Sequence, residues 1–395
     1  MSAVRFFDNV PHIVRYGMHD ETDEKCSIWF WRNGVRFTIN VKKDDVQGTA
    51  FYHEWKPLLR EHKRGDGPLS QWVHDQWHPL CDLLISSAMP VLKELAPDCS
   101  YWVTLKDYLH TPAHKLRLFA AADQVDAKVE DGPTDTAAYE FAPISTSDIS
   151  PPADLQQYFS SKLTILNQGR DWRRGPEEVR CADGRNLSFL GCKKSSKDAT
   201  TGKVSNSSLN AINAYLRLAE ISLARPDEAC PEAIPAVCGI VTDEPAAEAS
   251  TPHLDLEANQ QPINVSSRGF TVAGILLSWP SSRETIMSVV QKTPPEKSHR
   301  LLDDSRVWRA RIGEALDYLH AYGIYLGGRE DWPLLNAYSV FVDSDGKAWL
   351  ALSAASSVDG TDAGAVERTC EFDNKALAEL FDTWLPNALA SKPSD

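Results

Sequence analysis

Apolar and polar positions alternate over Val35, Phe37, Ile39 and Val41 against Arg36, Thr38 and Asn40. A period of two puts one face of an extended segment into a core. Ile28–Trp31 precedes it, and Asn33-Gly34 stands between them. That dipeptide suits a two-residue turn in which both central residues need positive φ. A hairpin is therefore predicted over 28–41. Trp29 and Trp31 fall on one of its faces, read as a packed wall rather than a platform for stacked bases, because aromatic residues mostly pack. From Leu69 to Leu95 the apolar spacing turns helical, through Trp72, Val73, Trp77, Leu80, Leu83 and Leu84. Pro79 is expected to break or bend that helix. A short Thr104–Leu109 stretch and a strand over Lys115–Phe119 follow.

Further on, Trp308, Ile312, Ala315, Leu316 and Leu319 recur at helical spacing. Asp303-Asp304-Ser305 offers N-cap oxygens for that helix, and Gly323 fits the left-handed position after its end. Ser339–Asp343 and Ala348–Leu352 flank an Asp-Gly turn, a second predicted hairpin. Phe372, Ala376, Leu377, Leu380, Phe381, Trp384 and Leu385 mark an amphipathic C-terminal helix. Residues 123–152 are acidic and rich in Pro, Ser and Thr, the composition of a linker. It separates a Trp-rich extension (1–122) from residues 153–280 and 281–395.

Charge changes the picture locally. Of 395 residues, 41 are Lys or Arg and 55 are Asp or Glu, a formal net charge of −14. Such a chain is no general nucleic-acid binder by net charge, and no DNA partner is expected. Yet residues 162–217 hold 11 basic and 5 acidic side chains, whereas 218–264 hold 1 and 9. A basic stretch lies beside an acidic one, whose 242–262 part reads as a surface loop. The basic stretch reads either as a phosphate-binding surface or as a solvated face, and exposure is the default for charge. No run of about 18 apolar residues suggests a membrane span. The N-terminus, MSAVRFFDNVPH, lacks the basic-then-apolar plan of a secretory signal. Eight cysteines without a C-x-x-C pair suit reduced, mostly buried thiols, and a cytoplasmic location is expected.

His74, His78 and Cys81 have metal-ligand spacing on a helix face, but the Glu of a metalloprotease motif is absent, so they read as packing or surface residues. No metal or cofactor is expected. Asp44-Asp45 and Asp303-Asp304 read as turn or cap residues, since adjacent side chains diverge. Neither G-x-S-x-G nor G-x-G-x-x-G occurs.

Two stretches carry a resemblance. Ala315-Leu-Asp-Tyr-Leu-His-Ala-Tyr-Gly-Ile324, followed by Val340-Phe-Val-Asp-Ser-Asp-Gly-Lys-Ala-Trp-Leu350, resembles the catalytic-loop region of protein kinases. In that family a helix ending in "LH..GI" leads to the catalytic loop and then to a hairpin. Asn186–Lys193 is similar to the strand bearing the nucleotide-binding lysine, Asn213–Ile221 to the helix after it, and Gly269–Trp279 to the strand entering the hinge. The resemblance spans roughly 140–390 and is closest to short, divergent kinase-like proteins of fungi. It implies an α+β, two-lobed, degenerate kinase-like fold with an N-terminal α/β extension.

Phosphoryl transfer needs a base-type Asp, an Asn and a metal-binding Asp around magnesium. The metal position falls on Ala351-Leu352-Ser353, and Leu supplies no oxygen to a hard cation. Read without a gap, the catalytic Asp falls on Gly328. Asp331 and Asn336 have the D-x4-N spacing only if the loop is shifted, and Pro333 then replaces the usual Lys. A Gly-rich phosphate loop is missing, and Asn210, Asn213 and Glu220 are poor candidates for the helix Glu. An active protein kinase is not expected.

Length, acidity, the Trp-rich extension and the degenerate kinase-like half are also similar to the fungal arginine-containing cyclodipeptide synthases. That resemblance implies an enzyme joining arginine from arginyl-tRNA to a second amino acid from another aminoacyl-tRNA, giving a cyclic dipeptide. Activated esters need neither ATP nor metal. They do need a general base, a carboxylate for the guanidinium and a basic surface for tRNA. Asp331, Glu330 and Asn336 are the candidate catalytic residues. Lys193, Lys194, Arg170, Arg173 and Arg174 are the candidate substrate-binding residues. The alternative is a catalytically inactive pseudokinase scaffold that binds a partner protein, for which a cleft plugged by Leu352 is the expected sign.

Overall fold

The computed structural model describes residues 4–5, 12–19, 24–64, 78–97, 101–121, 124–131, 144–145, 149, 151–166, 176–193, 196–197, 204–205, 207–243, 271–280, 282–329, 332–352, 356–357 and 363–391. They belong to an α+β fold in two compact units, one drawn from 1–140 and 164–176, the other from 141–163 and 177–395.

In the first unit the strands His12–His19 (β1), Lys25–Arg32 (β2), Val35–Lys42 (β3), Ala113–Ala121 (β4) and Gln124–Val129 (β5) form one sheet in that order. Asn33 and Gly34 take φ of 50° and 77°, and β2 and β3 pair from Arg32–Val35 to Lys25–Lys42, the hairpin predicted from their alternation. β3 and β4 run parallel, so the chain must cross over between them. It does so through helices Ala50–Arg64 (α1) and His78–Leu95 (α2). Cys26, Ile28, Phe30, Phe37, Ile39, Trp55, Leu80, Leu84, Ala88 and Leu116 pack between sheet and helices. Trp31 sits 5.0 Å edge-on to Trp102, which is 4.7 Å from Tyr108, so it is a packing residue.

Helix α2 is described from His78 onward and carries Pro79. Residues 65–77, with Trp72 and His74, lie outside the described residues. Gln124–Val129, assigned to the linker by composition, is a strand paired to β4 from Leu116–Val129 to Ala121–Gln124. Half-buried Val125 and buried Ala127 reach the core from a strand whose other residues are exposed, too little apolar signal to outweigh its flanks.

The second unit starts with Gln157–Phe159 (β6), Glu178–Arg180 (β7), Asn186–Gly191 (β8), helix Ser207–Ala224 (α4, after Leu105–Leu109, α3, in the first unit), Val237–Asp243 (β9) and Thr271–Leu277 (β10). The strand order is β7-β8-β10-β9-β6, with β6 parallel to β9 and the other pairs antiparallel. Thr242 and Asp243, the first residues of the predicted loop, are buried in β9, where Asp243 accepts a 2.7 Å bond from Ser160. Residues 244–270 lie outside the described residues.

After β10 come Arg283–Thr285 (β11), Ile286–Lys292 (α5), Ser298–Ala321 (α6), Val340–Asp343 (β12), Ala348–Leu350 (β13), Ala363–Ala378 (α7), a π-turn at Glu379–Trp384 and Leu385–Ala390 (α8). β11, β12 and β13 make a small antiparallel sheet. Asp303-Asp304-Ser305 is not a cap: α6 starts at Ser298, upstream of the apolar repeat, and holds all three within it. Gly323 takes φ of 67°, as a left-handed helix terminator should. A single apolar cluster runs from Ile212 and Tyr215 on α4 through Ile240 and Val272 on the strands to Trp308, Leu319, Val340, Leu352 and Leu389. Sheet and helical halves of this unit thus share one core. No helix among the described residues is long and apolar enough to cross a membrane.

Candidate functional site

The segment after α6 is where the resemblance locates chemistry. Three features hold it in place. Asp373, on α7, has no exposed surface. Its Oδ2 accepts the Leu326 N–H at 3.0 Å, and its Oδ1 accepts the Gly327 N–H at 2.8 Å. The His320 Nε2 lies 3.0 Å from Oδ2, and the His320 ring stacks on Tyr325 at 5.3 Å. A buried carboxylate is tolerated when hydrogen bonds replace its water, and here three donors converge on it. The start of the loop is thereby fixed to α6 and α7 together. Ile324–Tyr325 pairs with Ser356–Ser357, and Gly328–Arg329 with Trp332–Pro333.

Asn336 closes the loop. Its Nδ2 donates to the Pro333 carbonyl at 2.8 Å, while its Oδ1 accepts the Tyr338 N–H at 2.9 Å. Its own N–H donates to Ser339 Oγ at 2.9 Å. Both ends of its amide are therefore engaged in a local turn. Asp331 and Glu330, the other candidate catalytic residues, lie outside the described residues.

Leu352 sits where the resemblance expects a metal-binding Asp. It is fully buried in the apolar cluster, and its N–H donates to the Tyr215 hydroxyl at 3.2 Å. Two residues earlier, the Leu350 N–H donates to the Ala233 carbonyl at 2.8 Å. Tyr215 is one of several buried residues of α4, and burial pushes its phenol above the ordinary range. Asn210, Asn213 and Glu220 are all exposed. What α4 presents to this position is thus a neutral hydroxyl, with none of the three candidate groups beside it.

Lys193 follows β8 and is exposed, and its backbone N–H donates to Ser208 Oγ at 2.7 Å, joining the strand to the first turn of α4. Lys194, Arg170, Arg173 and Arg174 lie outside the described residues. Among the described residues, no group of three His, Cys, Asp or Glu could hold a metal ion. His74 is not described, while Cys81 is fully buried, and burial raises its thiol far above the ordinary value.

Sequence reasoning missed Tyr215 and Asp373. Asp373 did leave a signal, since it shares the i, i+3, i+4, i+7 face with Ala376, Leu377 and Leu380. A charge on an apolar stripe asks for a buried partner. Tyr215 left none, because an apolar-faced tyrosine reads as core.

No family model matches the chain, and no characterised protein matches it significantly.

Proposed function

We propose that the second unit is a degenerate kinase-like fold that has lost metal-dependent phosphoryl transfer, and that the chain acts as an aminoacyl-tRNA-dependent synthase of arginine-containing cyclic dipeptides. One observation carries the first half. Leu352 stands at the expected metal position, buried and fixed through its backbone to Tyr215. An alkyl side chain gives magnesium no oxygen, and the neutral Tyr215 beside it is a poor substitute for a carboxylate. Supporting the kinase-like reading, β8, α4, β10, α6 and the β12–β13 hairpin occur in the order the resemblance requires.

The second half rests on the sequence resemblance and on a chemical match. Aminoacyl esters carry their own activation, so amide formation needs no nucleotide and no metal. The attacking amine must lose a proton to a general base, for which Glu330 and Asp331 are the candidates. Lys193, Lys194, Arg170, Arg173 and Arg174 would meet the tRNA backbone, and affinity should then fall with salt.

The pseudokinase scaffold, binding a partner protein, is the second reading. It is favoured by the same burial of Leu352 and by the engagement of Asn336 in its turn.

The experiment is mass spectrometry of small molecules from a heterologous host with and without the chain. A new arginine-containing cyclic dipeptide, lost in Asp331→Ala or Glu330→Ala, supports the synthase. A product that survives both changes keeps the function and discards these residues as catalytic. Absence of any new product from soluble, folded protein overturns the synthase reading and leaves the scaffold.

A further inference from the structure

The five-stranded sheet of the first unit buries one face against α1 and α2, through Ile28, Phe30, Phe37, Ile39, Leu116 and Leu118. Alternation along each strand turns the intervening residues to the other face. Pairing lines them up in rows. Trp31 on β2 stands opposite Arg36 on β3, and Trp29 opposite Thr38, which neighbours Lys115 on β4. Arg15 of β1 pairs with Trp29 and so joins that second row in register. Ser27, Asn40, Arg117 and Lys128 form the next row, one from each of β2 to β5, and Lys25 and Lys42 follow. From β2 to β5 this face carries six cations, Lys25, Arg36, Lys42, Lys115, Arg117 and Lys128, against Asp126 and, just past β5, Glu130. In a chain of net charge −14 that is a local reversal of sign.

Two of the six are paired. Glu130 Oε2 lies 3.2 Å from Lys115 Nζ, and Asp45 Oδ2 accepts from Arg117 Nε at 2.7 Å. Ser27 donates to Asn40 Oδ1 at 2.7 Å, and Asn40 Nδ2 donates to Glu130 at 3.4 Å, so the middle of the face is held in one arrangement. Lys42 and Lys128 are exposed, and Lys128 Nζ stands 5.3 Å from the centre of the Phe119 ring. Trp31 is covered by Trp102 and Tyr108, whereas Trp29 and Phe119 are half-exposed among the cations.

We propose that this face is a binding surface for single-stranded RNA. Its cations meet phosphates, and the Trp29 and Phe119 rings give unpaired bases a surface on which to stack. A duplex hides its base faces and would use the cations alone. An apolar protein partner or a lipid surface would ask for aliphatic side chains, and no position of this face on β2 to β5 is Val, Leu or Ile. The inference concerns the first unit and stands whether or not the chain is a synthase, because binding is read without product formation.

Fluorescence anisotropy of the full chain with a labelled single-stranded RNA of about 12 nucleotides tests this. The parent should bind, with affinity falling as salt rises. Lys42→Glu combined with Lys128→Glu should weaken binding roughly tenfold or more at low salt and flatten the salt dependence. Trp29→Ala should weaken it roughly five- to hundredfold and keep the salt dependence, since stacking releases no counterions. Lys297→Glu combined with Lys347→Glu, an equal change of charge at exposed positions of the second unit, should bind as the parent does. No binding by the parent at low salt overturns the proposal, even if anionic phospholipid vesicles capture the chain. So does a loss in the Lys42 and Lys128 variant no larger than in the second-unit control. A duplex of equal length bound as tightly as the single strand, by parent and Trp29→Ala alike, also overturns it. Should Trp29→Ala fail to fold, Phe119→Leu takes its place, and parental binding there overturns the stacking.

Discussion

Asp373 shows what a buried charge costs and what it secures. Three donors converge on one carboxylate, two of them backbone N–H groups that nothing else could satisfy without rearranging the loop. Asp373→Ala should lower unfolding free energy by ~3 kcal/mol or more, read as a fall in the urea midpoint. Asp373→Asn should cost less, since an amide oxygen still accepts one of the bonds. Equal losses for the two would show that the amide recovers nothing and that the carboxylate itself carries the stabilisation. Gly274 makes a different demand. An added Cβ would stand 2.2 Å from the Leu190 carbonyl and 2.8 Å from the Gly191 Cα, both backbone atoms that cannot step aside. Gly191 and Gly274 face each other across the β8–β10 ladder, so the two backbones close together where both side chains are missing. Gly274→Ala should destabilise by about 3 kcal/mol or more. Gly184→Ala meets open space but keeps a φ of +85°, and should cost only about 1 kcal/mol. Paired thermal melts of the two variants show what crowding adds, since Gly274 also has a positive φ, of +158°.

Elements here are held by side chains the hydrophobic pattern does not record. The β12–β13 hairpin was legible from its alternation and its Asp-Gly turn. Its geometry, however, is built by Asp343, which accepts the N–H of Asp345 and of Lys347 on Oδ1 and the Trp349 indole N–H on Oδ2. The Trp308 indole then fixes the turn to α6 through the Gly346 carbonyl at 2.8 Å. Asp343→Ala should cost about 1–2 kcal/mol and raise exchange at 344–349 ahead of the rest. Uniform exchange across the unit in that variant would mean the turn has no separate stability. The start of α6 was not legible, because periodicity fixes where the apolar face begins and not where the backbone turns helical. The polar first turns, Ser298–Arg300, carry no such face. Likewise Gln124–Val129 hid in a polar, Pro-flanked region, since an edge strand needs few inward residues.

For the whole molecule, burial sets the response to pH. Desolvation pushes the Cys26 and Cys192 thiols up to about 12, and Cys230 up to about 11, from an ordinary 9.0. A raised folded pKa means the native state keeps its proton while the unfolded chain loses it. Stability from these thiols is therefore complete below pH 9.0 and declines as pH rises towards 11 and 12. Urea midpoints should fall steadily above that point, and a flat profile there would contradict the burial of these groups. The same core decides the metal question. Leu352→Asp should not create a magnesium site, because the residue sits in the apolar cluster beneath Tyr215. The expected result is a loss of about 3 kcal/mol or more with no recovery on adding magnesium and ATP. A thermal shift restored by magnesium would show that the position of Leu352 can take a metal.

The sequence by itself determined the mixed class, both hairpins, the left-handed glycine after α6 and the amphipathic C-terminal helix. Each follows from a period of 2 or about 3.6 or from local turn chemistry, which neighbours along the chain fix without distant help. The tertiary structure alone decided the partners: that Asp373 receives loop amides 46 and 47 residues away, that Tyr215 meets Leu352 across 137 residues, and that Arg283 reaches Glu178 across 105. Such pairings depend on how sheets and helices stack around a shared core. A buried polar group shows that it must have a partner, and only the folded chain shows which one.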